Sequence, residues 1–224
     1  EVVTPILKWD DMDTLQAVVR ELRKAGAKTP ECTSQHVHIG VRDFNARQIA
    51  NFARIFYKQE ELLLKAAGTL ESRLRHYTQR TERGFIARLE NTKPTTREEL
   101  NEAWFGYSNP NPSHYDHARY RAINLNNVWR TGTVEVRAFN GTTHAGEVKS
   151  HIVLCLAIAA LAKNAKCAST KNQRPFCAES AKYDMRVFLL RLGLIGPEFK
   201  NVRMHLLKHL PGNTAWKHGR PEGR

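Results

Sequence analysis

Three stretches of this 224-residue chain put unlike side chains on the two faces of an extended backbone, a period-two pattern that demands a sheet. In Ser34–Val41, the residues Val37, Ile39 and Val41 face one way and Ser34, His36, His38 and Gly40 face the other. In Thr133–Phe139, Val134, Val136 and Ala138 oppose Glu135 and Arg137. In Arg121–Val128, Ile123 and Leu125 oppose Asn124 and Asn126. Each stretch therefore has an apolar side that needs covering and a second side of His, Glu, Arg or Asn. A face that only met water would show more Lys, Thr and Ser. The residues present suit a hard cation, phosphate groups and a carboxylate.

Helical signals separate these stretches. Asp10 to Ala25 carries Leu15, Val18, Val19 and Leu22 at helical spacing, with Gly26 placed to end the helix. Asn45 and Gln48 form a capping-box pattern for a helix reaching about Ala67, whose buried face is Ile49, Phe52, Ala53 and Phe56. From Gly68 to Pro94 periodicity fades and arginines accumulate, and the arginine-rich segment 73–88 reads as a solvated surface. Thr96 and Glu99 announce a short helix to about Phe105, and Gly106 to Pro112 is loop. Arg121–Val128 and Thr133–Asn140 read as a hairpin turning near Gly132. A largely apolar helix is expected over about 145–163, a polar loop over 168–175, and a C-terminal helical part over about 179–210. The expected fold is α+β: one domain over residues 1–224, with an antiparallel sheet carrying its helices on one face.

Thirty-five Lys and Arg against 22 Asp and Glu give a formal charge of +13, which favours polyanionic partners without choosing among them. The cysteines at 32, 155, 167 and 177 lack CxxC spacing. They read as reduced thiols of a cytoplasmic protein, with a Cys167–Cys177 bridge as the alternative. The apolar run Ile152 to Ala162 is too short to span a bilayer and reads as a buried helix.

Several ordered blocks resemble the amidoligase family, a branch of the glutamine synthetase and glutamate–cysteine ligase superfamily. They are Glu1-Val2-Val3-Thr4-Pro5, Gln35 to Gly40, Arg119-Tyr120 with Asn124, and Thr133 to Thr142. Arg191 to Leu194, Arg203 and His205-Leu206-Leu207 also look like that family. The resemblance implies a curved antiparallel sheet, glutamine synthetase-like, with helices on its outer face. It implies an ATP-dependent carboxylate–amine ligase that forms an amide or isopeptide bond through an acyl phosphate; the basic surface and the arginines of 73–88 separately suggest an anionic partner such as an acidic peptide or protein. By the same resemblance Glu1, His38 and Glu135 ligate Mg²⁺ or Mn²⁺ with His36 beside them, and Glu135 and Arg137 carry catalysis. Arg137, Arg119 and Asn124 meet nucleotide or substrate, and Arg73 joins them as an anion contact. One feature departs from the pattern: an early E-x-E strand, which supplies further metal carboxylates in the superfamily, does not precede Glu1. The abrupt start favours a strand lying upstream over an impaired enzyme.

Other readings of the same residues stand beside this one. An H-x-H on a strand is more often a pair of hydrogen-bonded histidines, and Glu-x-Arg is usually an ion pair. A zinc-dependent hydrolase built on His36, His38 and Glu135 has the right ligand count. Nucleic-acid binding follows from the charge but lacks aromatics interleaved with the basic residues.

Overall fold

The computed structural model describes residues 2–170 and 174–219. After a short 3-10 turn, α1 (Met12–Lys24) leads to β1 (Ser34–Gly40) and the long α2 (Ala46–Ala66). Then come α3 (Glu71–His76), α4 (Arg83–Thr92), α5 (Arg97–Phe105), β2 (Ile123–Asn124), α6 (Asn126–Arg130) and β3 (Thr133–Asn140). The chain closes with α7 (Ala145–Asn164), α8 (Ala181–Arg191) and α9 (Lys200–Leu207). The sheet is antiparallel with order β1-β3-β2, so β3 is its central strand. The class is α+β, as the alternating stretches predict.

The apolar side of the sheet makes the core. Val37, Ile39, Ile123, Val134 and Val136 pack with Ile49, Phe52, Ala53 and Phe56 of α2 and with Val153, Leu154 and Ile158 of α7. Fully burying a side chain such as Phe52 contributes roughly 1.5–3 kcal/mol, so this two-layer contact dominates the stability of the fold. The α2 cap forms as predicted: Gln48 N–H donates to Asn45 Oδ1 and Asn45 N–H to Gln48 Oε1, both at 2.9 Å. Among the described helices only α7 has the length and apolar content of a membrane span. Its apolar surface is instead taken up by α1, α2, α9 and β1. Cys155 lies buried in α7, where burial pushes its thiol up. All four cysteines are free, so the Cys167–Cys177 alternative does not form.

Two sequence expectations need correction. The hairpin over 121–140 is interrupted: β2 stops after Asn124 and the chain turns at once into α6. Asn124 causes this, because its Oδ1 accepts from Asn126 N–H at 2.8 Å and so draws the next residues out of the extended conformation. Gly132, at φ +76°, then brings the chain into β3. The arginine-rich segment 73–88 is also not a solvated surface. Phe85, Ile86 and Leu89 of α4 are buried, and Arg88 donates to the carbonyls of Ala103 at 2.6 Å and Trp104 at 3.3 Å. Interspersed arginines mask the helical stripe because they are themselves structural.

One irregularity shapes the site. Val37 pairs with Val136, but Gln35 pairs with Phe139, so Arg137 and Ala138 together face His36. This bulge changes which residues follow Val136 onto the helix-packed side. Phe139 takes that side in place of Ala138, and its ring stacks on His151 of α7 at 4.1 Å between centroids.

Candidate active site

The other side of the sheet gathers its polar residues around Glu135. In the strand register His38 lies opposite Glu135 on one flank and Asn124 opposite it on the other. The three alternating stretches thus meet in a single row, with a carboxylate at its centre.

Glu135 is buried, and each oxygen of its carboxylate has its own partners. Oε2 accepts from Asn124 Nδ2 at 2.7 Å and from Asn127 Nδ2 at 3.0 Å. Oε1 accepts from Arg137 Nη1 at 2.8 Å, and His36 Nδ1 lies 3.0 Å and His38 Nε2 3.7 Å from the same atom. Burial alone would raise the carboxyl. The His36 hydrogen bond and the charges of Arg137, His36 and His38 outweigh it and hold the group at about 2. Glu135 is therefore an anion throughout the neutral range. Burial lowers the His38 imidazole against the opposing pull of Glu135, and His36, Arg137 and Arg119 lower it further.

Imidazole and carboxylate are the side-chain types that can hold a divalent cation. Each histidine has its second nitrogen on a hydroxyl: His36 Nε2 is 3.0 Å from Ser34 Oγ, and His38 Nδ1 is 3.2 Å from Thr133 Oγ1. When the far nitrogen donates to its hydroxyl, the near one presents a lone pair beside Glu135 Oε1, the supporting arrangement that metal-bound histidines use. Two imidazoles and one carboxylate suit Mn²⁺ better than Mg²⁺, which prefers oxygen ligands. Glu1, the other expected ligand, lies outside the described residues.

The remaining expected residues divide into two groups. Arg119 stands on the same side as His38, its guanidinium 5.6 Å from the Tyr120 ring and 5.7 Å from the Tyr115 ring, and it donates to the His114 carbonyl at 2.7 Å. Arg137 also lies over Tyr120, at 5.9 Å, and donates from Nε to the Tyr77 carbonyl at 3.2 Å. Among the described residues its Nη2 has no hydrogen-bond partner. Tyr120 in turn lines a cleft of about 330 Å³ with Trp104, Phe105, Tyr107 and Arg121. Asn124 and Arg73 are placed differently. Asn124 is spent at both ends of its amide, on Glu135 and on Asn126. Arg73 is buried behind β3, donating to the carbonyls of Phe139 and of Arg137, the latter at 2.9 Å, and to Thr78 Oγ1 at 3.0 Å.

Asn127 and His114 escaped the sequence reading, and Tyr120 entered it only as part of the Arg119-Tyr120 block. The Asn127 amide reaches Glu135 only because α6 replaces the expected strand. The run Asn124-Leu125-Asn126-Asn127 was the available signal, since a cluster of Asn resists a regular strand.

A family profile described as putative amidoligase enzyme matches residues 1–159, more than half of the chain. The chain belongs to the amidoligase family. All three strands and every described residue around Glu135 fall within the match. The C-terminal blocks from Arg191 onward, which resemble the family by eye, lie beyond it. Neither a curated protein nor a solved structure matches the chain. Family membership points to a ligase that forms amide bonds and leaves the reaction's partners to be argued from the site.

Proposed function

We propose that this amidoligase is an ATP-dependent carboxylate–amine ligase, working through an acyl phosphate on a glutamine synthetase-like sheet. The observation that supports it best is the buried Glu135 carboxylate, anionic at neutral pH, with Arg137 Nη1 at 2.8 Å and two imidazoles converging on one oxygen. A carboxylate of that kind suits a cation that bridges phosphate oxygens, and an adjoining guanidinium suits the transferring phosphoryl group.

Each residue then has a task. Glu135, His36 and His38 would hold Mg²⁺ or Mn²⁺, which would supply charge stabilisation to the phosphates. Asn124 and Asn127 fix the Glu135 carboxylate from behind, so that Oε1 keeps its aim. Arg137, anchored through Nε to the Tyr77 carbonyl, offers Nη2 to a phosphate oxygen. Arg119 adds positive charge beside His38 and orders the aromatic wall of Tyr115 and Tyr120. The Tyr120 cleft, with aromatic rings and Arg121 on its rim, accommodates the nucleotide base or an acid substrate. The substrate carboxylate attacks the γ-phosphorus of ATP and releases ADP, and the incoming amine then attacks the acyl carbon, displacing phosphate and giving up a proton, so no side chain forms a covalent bond. A peptide or protein is the favoured substrate class, and the positive charge of the chain favours an acidic one.

The test is Mn²⁺- or Mg²⁺-dependent ADP release from ATP with a panel of acidic peptides and amines, followed by mass spectrometry for an amide product. Glu135→Gln and Arg137→Ala should each abolish it. Full activity in both variants would remove these residues from the reaction. A zinc hydrolase remains the second reading, because two histidines and one Glu is also a zinc donor set. Zinc-dependent cleavage of a peptide without ATP, with no amide formed, would favour it.

A further inference from the structure

A second group of ligand-type side chains lies where α9 meets the first turn of α7, away from the row centred on Glu135. His144, Glu147 and His205 each present one nitrogen or carboxylate oxygen, and these atoms all lie within 4.8 Å of one another. His144 and Glu147 are three residues apart at the start of α7 and therefore share a side. His205 arrives from α9 and is seated over Gly146. A Cβ at 146 would stand 2.6 Å from His205 Nε2 and 3.1 Å from His144 Cε1, so glycine is what leaves room for the ring. The two imidazoles meet edge-on with centroids 4.9 Å apart. Behind them the Glu147 carboxylate is already oriented: Oε2 accepts from Thr142 Oγ1 at 2.7 Å, and Lys208 Nζ sits against Oε1.

We propose that His144, Glu147 and His205 form a site for a borderline divalent transition metal, zinc fitting best, that ties α9 to α7. Two nitrogens and one oxygen, with water in a fourth position, make a tetrahedral zinc set, and cations that demand oxygen ligands are disfavoured. Thr142 is the supporting hydrogen bond that such a carboxylate needs. Binding displaces two existing partners. The His144 Nδ1 contact with the Glu147 amide is long, at 3.3 Å, and the Lys208 side chain is 38% exposed and can turn to water. His205 lies beyond residues 1–159, so the site is not contained in the family match and does not depend on the ligase reading.

Full-length protein stripped with chelator is titrated with Co²⁺ in the visible region and then with Zn²⁺ by calorimetry, alongside variants whose folding is checked by circular dichroism. The expected result is a Co²⁺ equivalent with the strong visible bands of tetrahedral coordination, displaced by Zn²⁺ and independent of any Co²⁺ taken up at His36, His38 and Glu135. His205→Ala should remove this signal, and His205→Gln should do the same while preserving polarity. Thr142→Val should weaken binding by roughly 10–100-fold, the usual effect of losing a supporting hydrogen bond. Lys208→Met should tighten it by removing the competing ammonium. The double variant His36→Ala/His38→Ala should retain the signal. Absence of tetrahedral Co²⁺ in the wild type, its survival in folded His205→Gln, or its loss only in the His36/His38 variant would each overturn the proposal.

Discussion

Asn127 donates its side-chain amide to Glu135 Oε2 at 3.0 Å from the first turn of α6, on the far side of the turn that opens β3. A short helix inserted between two strands thereby becomes part of the support of the central carboxylate. Asn127→Ala should leave Oε2 with Asn124 alone. Stability should fall by about 1–3 kcal/mol, the cost of an under-satisfied buried group. Chemical denaturation gives that number. Steady-state kinetics should show a lower kcat, since the carboxylate loses its fixed aim; an unchanged kcat would leave Asn127 a purely structural residue.

Glu135 and Arg137 are expected to divide stability from catalysis. Glu135→Gln keeps the shape of the side chain, so the variant should fold yet lose at least about a hundredfold in turnover, the scale of one lost electrostatic contact in a closed site. Arg137→Ala leaves a buried carboxylate without its ion-pair partner and should cost about 3–5 kcal/mol in stability as well. Urea unfolding beside ADP-release assays separates the two effects.

Stability should decline on acidification in two windows. His151 is buried, and burial lowers its imidazole from 6.5 to about 3. The unfolded chain therefore binds this proton first, and stability present above pH 6.5 is lost as pH falls towards 3. Glu135 behaves alike from its ordinary 4.5 down to about 2. That shift corresponds to on the order of 3 kcal/mol, lost as pH falls through the window. His151→Phe, which keeps an aromatic partner for Phe139, should flatten the upper window, and Glu135→Gln the lower one. Unfolding free energies measured across the acid range test both slopes; a His151→Phe variant that still shows the upper slope assigns it to another group.

Arg73 separates a ligand contact from a structural pin. Its guanidinium, lowered to about 10 by burial and by the neighbouring Arg137, bonds two carbonyls of β3 and Thr78. Arg73→Met should cost about 3 kcal/mol or more through those orphaned acceptors. The KM for ATP of the folded enzyme should stay within about twofold, well under the tenfold that 1.4 kcal/mol of lost binding would produce. A large KM increase at unchanged stability would return Arg73 to the binding surface.

The alternating stretches were enough to read the α+β class, the two polar faces and the placing of His36, His38, Glu135 and Arg137. Alternation with period two is a local property that survives into the sheet. What stayed hidden depends on non-local chemistry. The Asn124 side chain ends β2 by bonding the next backbone amide, and a propensity reading of Arg121–Val128 has no access to that competition. Arg73 and Arg88 look like surface charge in sequence, since only the packed structure supplies the carbonyls that bury them. His205 could not be joined to His144, because 60 residues of chain separate them until α9 folds back onto α7.

The bulge opposite His36 gives β3 two reading phases within one strand. Before it, the odd-numbered Glu135 lies on the side of His36 and His38; after it, the odd-numbered Phe139 looks into the core. Loss of one residue between Val136 and Phe139 would remove the bulge and leave the two halves in a common phase, whereas loss of one residue elsewhere in the strand would turn everything beyond it to the opposite side of the sheet. Among homologues, insertions and deletions should therefore collect in the loops and spare this strand, with substitution the only route by which its length-bound chemistry can drift.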